Sequence, residues 1–363
     1  MLEFLEYNFE QDNAEACPIY LIKAEEFNLW LDRENSHVKN WIHANKFSAS
    51  SGDVCLVPDS LGNIEKVLVG LGSEEIRKRN RFVLGGVTEK LPNLKYKLVS
   101  EHPEFEVKEH YLGWLLSQYH FSKYRDQVKN NPRLVAPSMF DGTRIEKIAQ
   151  GEALTRDLIN TPTNNMGPLE LEKSIRSLAG LHGASIKTIC GEHLLEKNFP
   201  MIHTVGRASA ELPRLIELVW GEHGPTLTLV GKGVCFDTGG LNIKPGSSMS
   251  LMKKDMGGAA TVIGLAHMIM ALNLPLRLRV LVPAVENSIA SSAFRPQDIL
   301  TSRKGLTVEV NNTDAEGRLI LADALAYADE DSPDLLICMA TLTGAARVAV
   351  GPDVAPFYTD DNN

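Results

Sequence analysis

Long apolar runs are missing from this chain. None would span a bilayer, and the opening "MLEFLEYNFE" is acidic rather than basic-then-apolar, so the expectation is a chain with no membrane span and no secretory leader. Paired cysteines are missing too. Cys17, Cys55, Cys190, Cys235 and Cys338 make an odd total of five with no CxxC, which argues against a disulfide framework. The expectation is a reduced, cytoplasmic protein whose cysteines are small core residues. Positive charge is outnumbered, 37 Lys and Arg against 46 Asp and Glu for a net charge of -9. That balance argues against nucleic acid or an anionic membrane as the main partner, leaving only a local basic patch outside the argument. There is no HExxH, no P-loop and no GxSxG elbow, which weakens the zincin, NTPase, kinase and serine-hydrolase classes. No internal repeat or low-complexity tract is found.

What is present suffices for two domains: 363 residues, 44% hydrophobic and 23% charged. The fold class read from the pattern is α/β. A small N-terminal α/β domain, 1–137, mixes short elements. "DVCLVPD" and "KVLVGLG" read as buried strands, and "EHYLGWLLSQYHFSKY" as an amphipathic helix. "GLGSEE" carries two glycines of a dinucleotide fingerprint but lacks the third and the later acid, so it reads as a strand-end turn. A connecting helix is expected within 138–162, capped by Asp141 or Thr143 and ended by Thr161-Pro162.

From 163 to 363, strands and helices alternate, as in a larger catalytic α/β domain with a mostly parallel central sheet covered by helices. "LTLVGKGV", "RLRVLVPAV", "LTVEVNN" and "DLLICMATL" read as buried strands. "GGAATVIGLAHMIMAL" and "GRLILADALAYADE" read as helices. Ligands bind such sheets at the carboxyl ends of the strands.

Three of those ends carry unusual polar residues. "VGKGVCFDTGGLNIKP" holds Lys232, Asp237 and Lys244, "LMKKDMGGAA" holds Asp255, and "NNTDAEGRLILADAL" holds Asp314, Glu316 and Arg318. If the last segment is extended, its three charged side chains share one side of the backbone. Four carboxylates in one place repel unless cations hold them, and one Arg with two Lys is too few. Two hard divalent ions would balance them, forming the clamp that many hydrolases use. Taken singly, each acid reads first as a helix cap or a solvated loop residue, and Asp255 before "MGG" could simply cap its helix. Lys232 and Lys244 read by default as surface charges.

"NTDAEGRL", Asn312 to Leu319, resembles the signature of the leucyl aminopeptidases of the cytosol aminopeptidase family. "VGKGVCFDTGG", "IKP" and "MKKDMGGAA" resemble its other motifs in order and spacing, over roughly residues 137–363. The resemblance implies a metal-dependent aminopeptidase that removes N-terminal residues, leucine and other apolar ones, from peptides with a free N-terminus. It implies metal ligands at Lys232, Asp237, Asp255, Asp314 and Glu316, with Asp237 and Glu316 shared by both ions. The ions would be Mn or Zn, with Mg or Co as alternatives. A metal ligand amine must be neutral, so Lys232 would need a lowered pKa. Lys244 would polarise the scissile carbonyl, and Arg318 would hold a bicarbonate as general base, with an activated water as nucleophile. Met252, Asn312, Thr341 and Leu342 fall at family positions near the substrate or the bicarbonate. A homo-oligomer, a hexamer, is implied as well.

Thr238 stands where many relatives carry Ser, and Cys235 is close to that loop; neither is a ligand position. The chain is expected to be part of a longer protein. "DLLICMATLTGA" leads only into "PDVAPFYTDDNN", which could not cover the far face of a buried strand. Rival readings are another two-metal hydrolase such as a phosphatase, a nucleic-acid-binding regulator on the same fold, and an inactive scaffold, the last disfavoured because every ligand position is filled.

Overall fold

The computed structural model describes residues 3–11, 15–99, 102–125 and 131–361. The chain divides into two compact units, 1–154 and 155–363.

The first unit carries β1 (Cys17–Lys23), the short helices α1 (Phe27–Asp32) and α2 (Ser36–Ala44), β2 (Val54–Pro58), β3 (Ile64–Gly72), α3 (Glu74–Arg79), β4 (Lys95–Val99), α4 (Glu104–Ser117) and β5 (Arg133–Leu134). Its five strands order as β2-β3-β1-β4-β5, parallel except for β2 against β3. The apolar run of β3 is explained by burial on both faces. Val67, Val69 and Leu71 join Trp114 and Tyr111 of α4, while Leu68 joins Val38 and Ile42 of α2. Each aliphatic side chain so buried contributes about 1.5–3 kcal/mol. The amphipathic helix expected at 109–124 begins five residues earlier and stops at Ser117. The Ser117 hydroxyl donates to the Trp114 carbonyl at 2.7 Å, a local bond that competes with continuing the helix.

The long helix α5 spans Thr143–Asn160, and the division between units falls inside it. Asp141 accepts from the Thr143 backbone N–H at 2.9 Å, as a cap would.

The second unit contains α6 (Pro168–His182), β6 (Ser185–Cys190), α7 (His193–Glu196), α8 (Pro200–Gly206), β7 (Arg214–Trp220), β8 (Thr226–Gly231), β9 (Gly233–Asp237), α9 (Gly246–Met249), α10 (Gly257–Ala271) and β10 (Arg277–Asn287). After these come β11 (Ile299–Thr301), β12 (Thr307–Glu309), α11 (Glu316–Asp329), β13 (Leu335–Met339) and α12 (Ala345–Val350). Its sheet runs β13-β8-β10-β7-β6, with β9 also on β10. Three of its five pairings are parallel, and β7 adds an antiparallel pair on each side. Leu281 of β10 packs with Ile202 of α8 and Ile320 of α11. Its neighbours Val280 and Val282, also buried, point to the opposite face, which α6 and α10 cover.

Three expectations need correction. "LTLVGKGV" is two strands, not one, because Lys232 leaves the ladder between β8 and β9. "LTVEVNN" does not enter the main sheet: β12 is three residues long and among the described residues pairs only with β11, with Thr307 and Glu309 exposed and Val308 half-buried. Its apolar–polar alternation fits a one-faced ribbon. "DLLICMATL" forms β13, but at the sheet edge, with Leu335 and Cys338 exposed. Beyond β13 the apolar side chains of Val348, Phe357 and Tyr358 are more than four-fifths exposed. Among the described residues no helix is long and apolar enough to cross a membrane.

α10 begins hard against the end of β13. A Cβ on Gly258 would lie 2.1 Å from the Met339 carbonyl oxygen, so only glycine allows this approach. Gly258→Ala should therefore lower stability by about 1–3 kcal/mol in urea denaturation; an unchanged midpoint would contradict the close packing.

In the first unit, His110 of α4 is buried, and burial pushes its pKa down from 6.5 to about 4. The unfolded chain therefore takes a proton before the folded one does. Stability should be intact above pH 6.5 and fall as pH drops toward 4, by roughly 3 kcal/mol in all. Denaturation curves across this range should show His110→Gln losing that component of the slope; identical slopes in both proteins would refute it.

Candidate metal centre

The site is built where the sheet of the second unit opens. Lys232 turns its backbone out of the ladder, its N–H donating to Met339 of β13 at 3.0 Å and its carbonyl accepting from Ala259 of α10 at 2.9 Å. That break points the side chain inward. Its Nζ lies 2.7 Å from Asp255 Oδ2, 3.1 Å from Glu316 Oε1 and 3.3 Å from the Thr341 carbonyl. Gly317 makes room for it, since a Cβ there would come within 2.4 Å of Lys232 Cε.

Asp255 sits in the 3-10 turn Met252–Met256 that leads into α10. It does not cap that helix; Met256 holds the cap position and no side chain bonds there. Its carboxylate instead takes Lys232 and the Thr341 hydroxyl, the latter at 2.8 Å. Asp237 ends β9. Its Oδ1 accepts from the Gly239 N–H at 2.9 Å and from Asn287 Nδ2 at 2.8 Å, while Oδ2 faces Lys244 Nζ at 2.9 Å. Lys244 reaches Asp314 Oδ1 at 2.5 Å as well, so one ammonium bridges two carboxylates.

Ligand oxygens of Asp237, Asp255 and Glu316 lie within 4.8 Å of one another, and all three residues are buried. Burial drives the Glu316 pKa up to about 7, against the pull of Lys232. Burial likewise raises Asp255. For Lys232, burial favours the neutral amine, but the Glu316 and Asp255 carboxylates outweigh it and the pKa is raised. The lowered pKa that a ligand amine needs is thus not supplied by the protein's own charges; a dication would have to provide it. Lys244 is also held protonated, because its bonds to Asp314 and Asp237 exceed the effect of burial.

The donor set fits hard or borderline divalent cations: clustered carboxylate oxygens and one amine. Glu316 Oε2 supports this. It is buried and has no hydrogen-bond partner among the described residues, a costly state for a carboxylate oxygen unless a cation takes it.

The structure brings Lys232, Asp237, Asp255, Asp314, Glu316 and Lys244 together, while Arg318, in the first turn of α11, is exposed. The segment around Asp314 is not extended. Thr313–Ala315 is a single 3-10 turn and Glu316 opens α11, so Glu316 and Arg318 point to nearly opposite sides of a helix. Glu316 is buried, Asp314 half-buried and Arg318 exposed. Asn312 is committed locally, accepting from the Asp314 N–H at 2.8 Å. Met252 is half-buried, and Leu342, 48% exposed, lies over Gly317. Thr341 has its hydroxyl engaged by Asp255.

Sequence reasoning missed Asn242, Asn287 and Thr313. Thr313 is fully buried, its hydroxyl donating to the Gly239 carbonyl at 2.6 Å and accepting from the Asn242 N–H at 2.8 Å. Asn242 Oδ1 in turn accepts from the Thr313 N–H at 2.8 Å. The hydroxyl of Thr238 also knits this loop, donating to the Asn287 carbonyl at 2.9 Å. The available signal was "VENS": an asparagine ending an apolar strand at the edge where the other polar residues gather.

Known proteins resemble this chain over most of its length. The profile of the cytosol aminopeptidase family, catalytic domain, matches residues 153–363, and that of the M17 aminopeptidase N-terminal domain matches residues 17–137. A probable cytosol aminopeptidase of Syntrophotalea carbinolica is 42% identical over 265 residues, 68% of this chain and 53% of that protein. One from Roseiflexus castenholzii is 38% identical over 300 residues, 78% of this chain and 59% of that protein. The chain thus spans little more than half the length of these curated relatives. The crystal structure of a cytosol aminopeptidase from Coxiella burnetii superposes with a TM-score of 0.88 at 42% identity, covering 94% of this chain and 74% of that one. The bottromycin maturation enzyme BotP, in complex with Mn, gives 0.81 at 31% identity, covering 93% and 75%. A cluster of buried carboxylates around a buried lysine, set in these motifs and matched by these profiles, leads to one conclusion: the chain belongs to the cytosol aminopeptidase family.

Proposed function

We propose that this protein is a metal-dependent aminopeptidase that hydrolyses the first peptide bond of substrates with a free N-terminus. The observation that carries the reading is the buried triad Asp237, Asp255 and Glu316, with ligand oxygens within 4.8 Å and one oxygen of Glu316 lacking a partner. Lys232 and Asp314 complete the proposed ligand set. Two divalent ions, when bound, would supply an activated water and a positive field for the developing oxyanion.

The chain's own residues account for the rest. Lys244, beside Asp237 and Asp314, is assigned as the donor to the scissile carbonyl oxygen. Arg318 is exposed at the start of α11, where its planar fork can hold a small oxyanion such as bicarbonate, the proposed general base. Thr341 is assigned to orienting Asp255 rather than to touching substrate. Met252 and Leu342 offer apolar surface to the substrate's first side chain, in keeping with leucine and other apolar residues. Asn312 shapes the turn that carries Asp314.

Manganese is the first cation to test, since the BotP structure was determined with it; zinc is the alternative. A homo-oligomer and a cytoplasmic location belong to the same reading. So do the domain assignments: an N-terminal domain to 137, a connecting helix within 138–162 and a catalytic domain from 163.

With Mn added, the protein should hydrolyse leucine p-nitroanilide and leave p-nitrophenyl phosphate untouched; the reverse would favour a phosphatase and overturn the proposal. Lys244→Ala and Arg318→Ala should each lower kcat on the order of 100-fold or more while bound metal stays near the wild-type level. Loss of metal in either variant, or unchanged turnover, would remove these roles.

A further inference from the structure

Asn287 ends β10 with its side chain buried among the ligand-bearing loops. Nδ2 donates to Asp237 Oδ1 at 2.8 Å and to the Thr313 carbonyl at 3.1 Å. The first bond is to a carboxylate of the cluster. The second reaches the residue just before Asp314 in the turn that opens α11. One amide group thus ties β9 to that turn.

The bond to Asp237 has a chemical consequence. Each oxygen of an ionised carboxylate offers about two lone-pair sites. Oδ1 of Asp237 already accepts two N–H donors, from Gly239 and Asn287. Its capacity is committed to the protein, and Oδ2 is left to face the cluster and Lys244. Without Asn287, Oδ1 would keep only the Gly239 bond, and the carboxylate could turn about its own axis.

We propose that Asn287 is a positioning residue for the metal centre: it holds Asp237 so that a single oxygen, Oδ2, is presented to cations, and it fixes the Asp314 turn at the same time. This deepens the metal-dependent reading of the site and rests on it. Both Nδ2 donors of Asn287 are taken by the protein, and its role in this assignment passes through Asp237 and the Asp314 turn.

The test is calorimetric titration of the metal-free protein with Mn2+, for wild type, Asn287→Leu, Asp237→Ala and the double variant. Leu is near in size and removes the donors; Asn287→Ala replaces it should Asn287→Leu misfold, as judged by circular dichroism. Loss of an outer hydrogen bond to a ligand commonly costs about 10- to 100-fold in metal affinity. Asn287→Leu should weaken Mn2+ binding by that factor in the wild-type background and by a clearly smaller factor when Asp237 is already Ala, since the part of the effect that passes through Asp237 is then gone and only the part through the Asp314 turn remains. Equal losses in both backgrounds would mean a general structural role and overturn the proposal, as would unchanged affinity in Asn287→Leu. Failure of the wild type itself to bind Mn2+ would instead reject the metal-dependent reading, and the positioning role with it.

Discussion

Lys232 between Asp255 and Glu316 is the contact around which the second unit is arranged. An ammonium and two carboxylates are buried here, and burying ions is costly unless each finds a partner. The fold meets this by local sacrifice. β8 and β9 are interrupted to aim the lysine inward, Gly317 leaves room beside its stem, and Gly258 lets α10 press against the end of β13 so that the Asp255 turn sits alongside. The balance remains uneven: Glu316 is pushed up to about 7, and one of its oxygens is without a partner among the described residues. Such a cluster is poor as a stabilising element and well suited to holding cations.

The second lysine of the site, Lys244, belongs to the same logic. It links Asp237 to Asp314, drawing together carboxylates from two segments far apart in sequence. Around them runs a neutral shell. Thr313, Asn242 and Asn287 exchange hydrogen bonds that join the loop after β9 to the turn before α11. Charged residues carry the proposed chemistry; uncharged ones fix where the charges stand.

Much of this was legible in the sequence. The apolar runs of β3, β8 and β10 and the helical spacing of α10 and α11 follow from burial on both sides of a sheet, which leaves a plain hydrophobic signature. The charged site residues were legible because acids and lysines at strand ends break that signature. β13 was read as buried because a short apolar run does not report whether a strand lies in the middle of a sheet or at its edge, whereas the apolar–polar alternation of β12 already fitted a strand covered on one face. The break at Lys232 was hidden by the continuous apolar run on either side. Asp314, Glu316 and Arg318 were placed on one side by assuming an extended backbone, whereas helix geometry turns Arg318 away. Asn287 and Thr313 escaped notice because a neutral polar residue has no distinctive pattern until its partners are known.

The central claim is that Asp237, Asp255, Glu316 and Asp314 with Lys232 form a centre for two divalent ions. Anomalous scattering from crystals soaked in Mn2+ tests it most directly. The account predicts two adjacent manganese peaks within the cluster bounded by these side chains. Peaks only at other surfaces, or none at saturating metal, would contradict it.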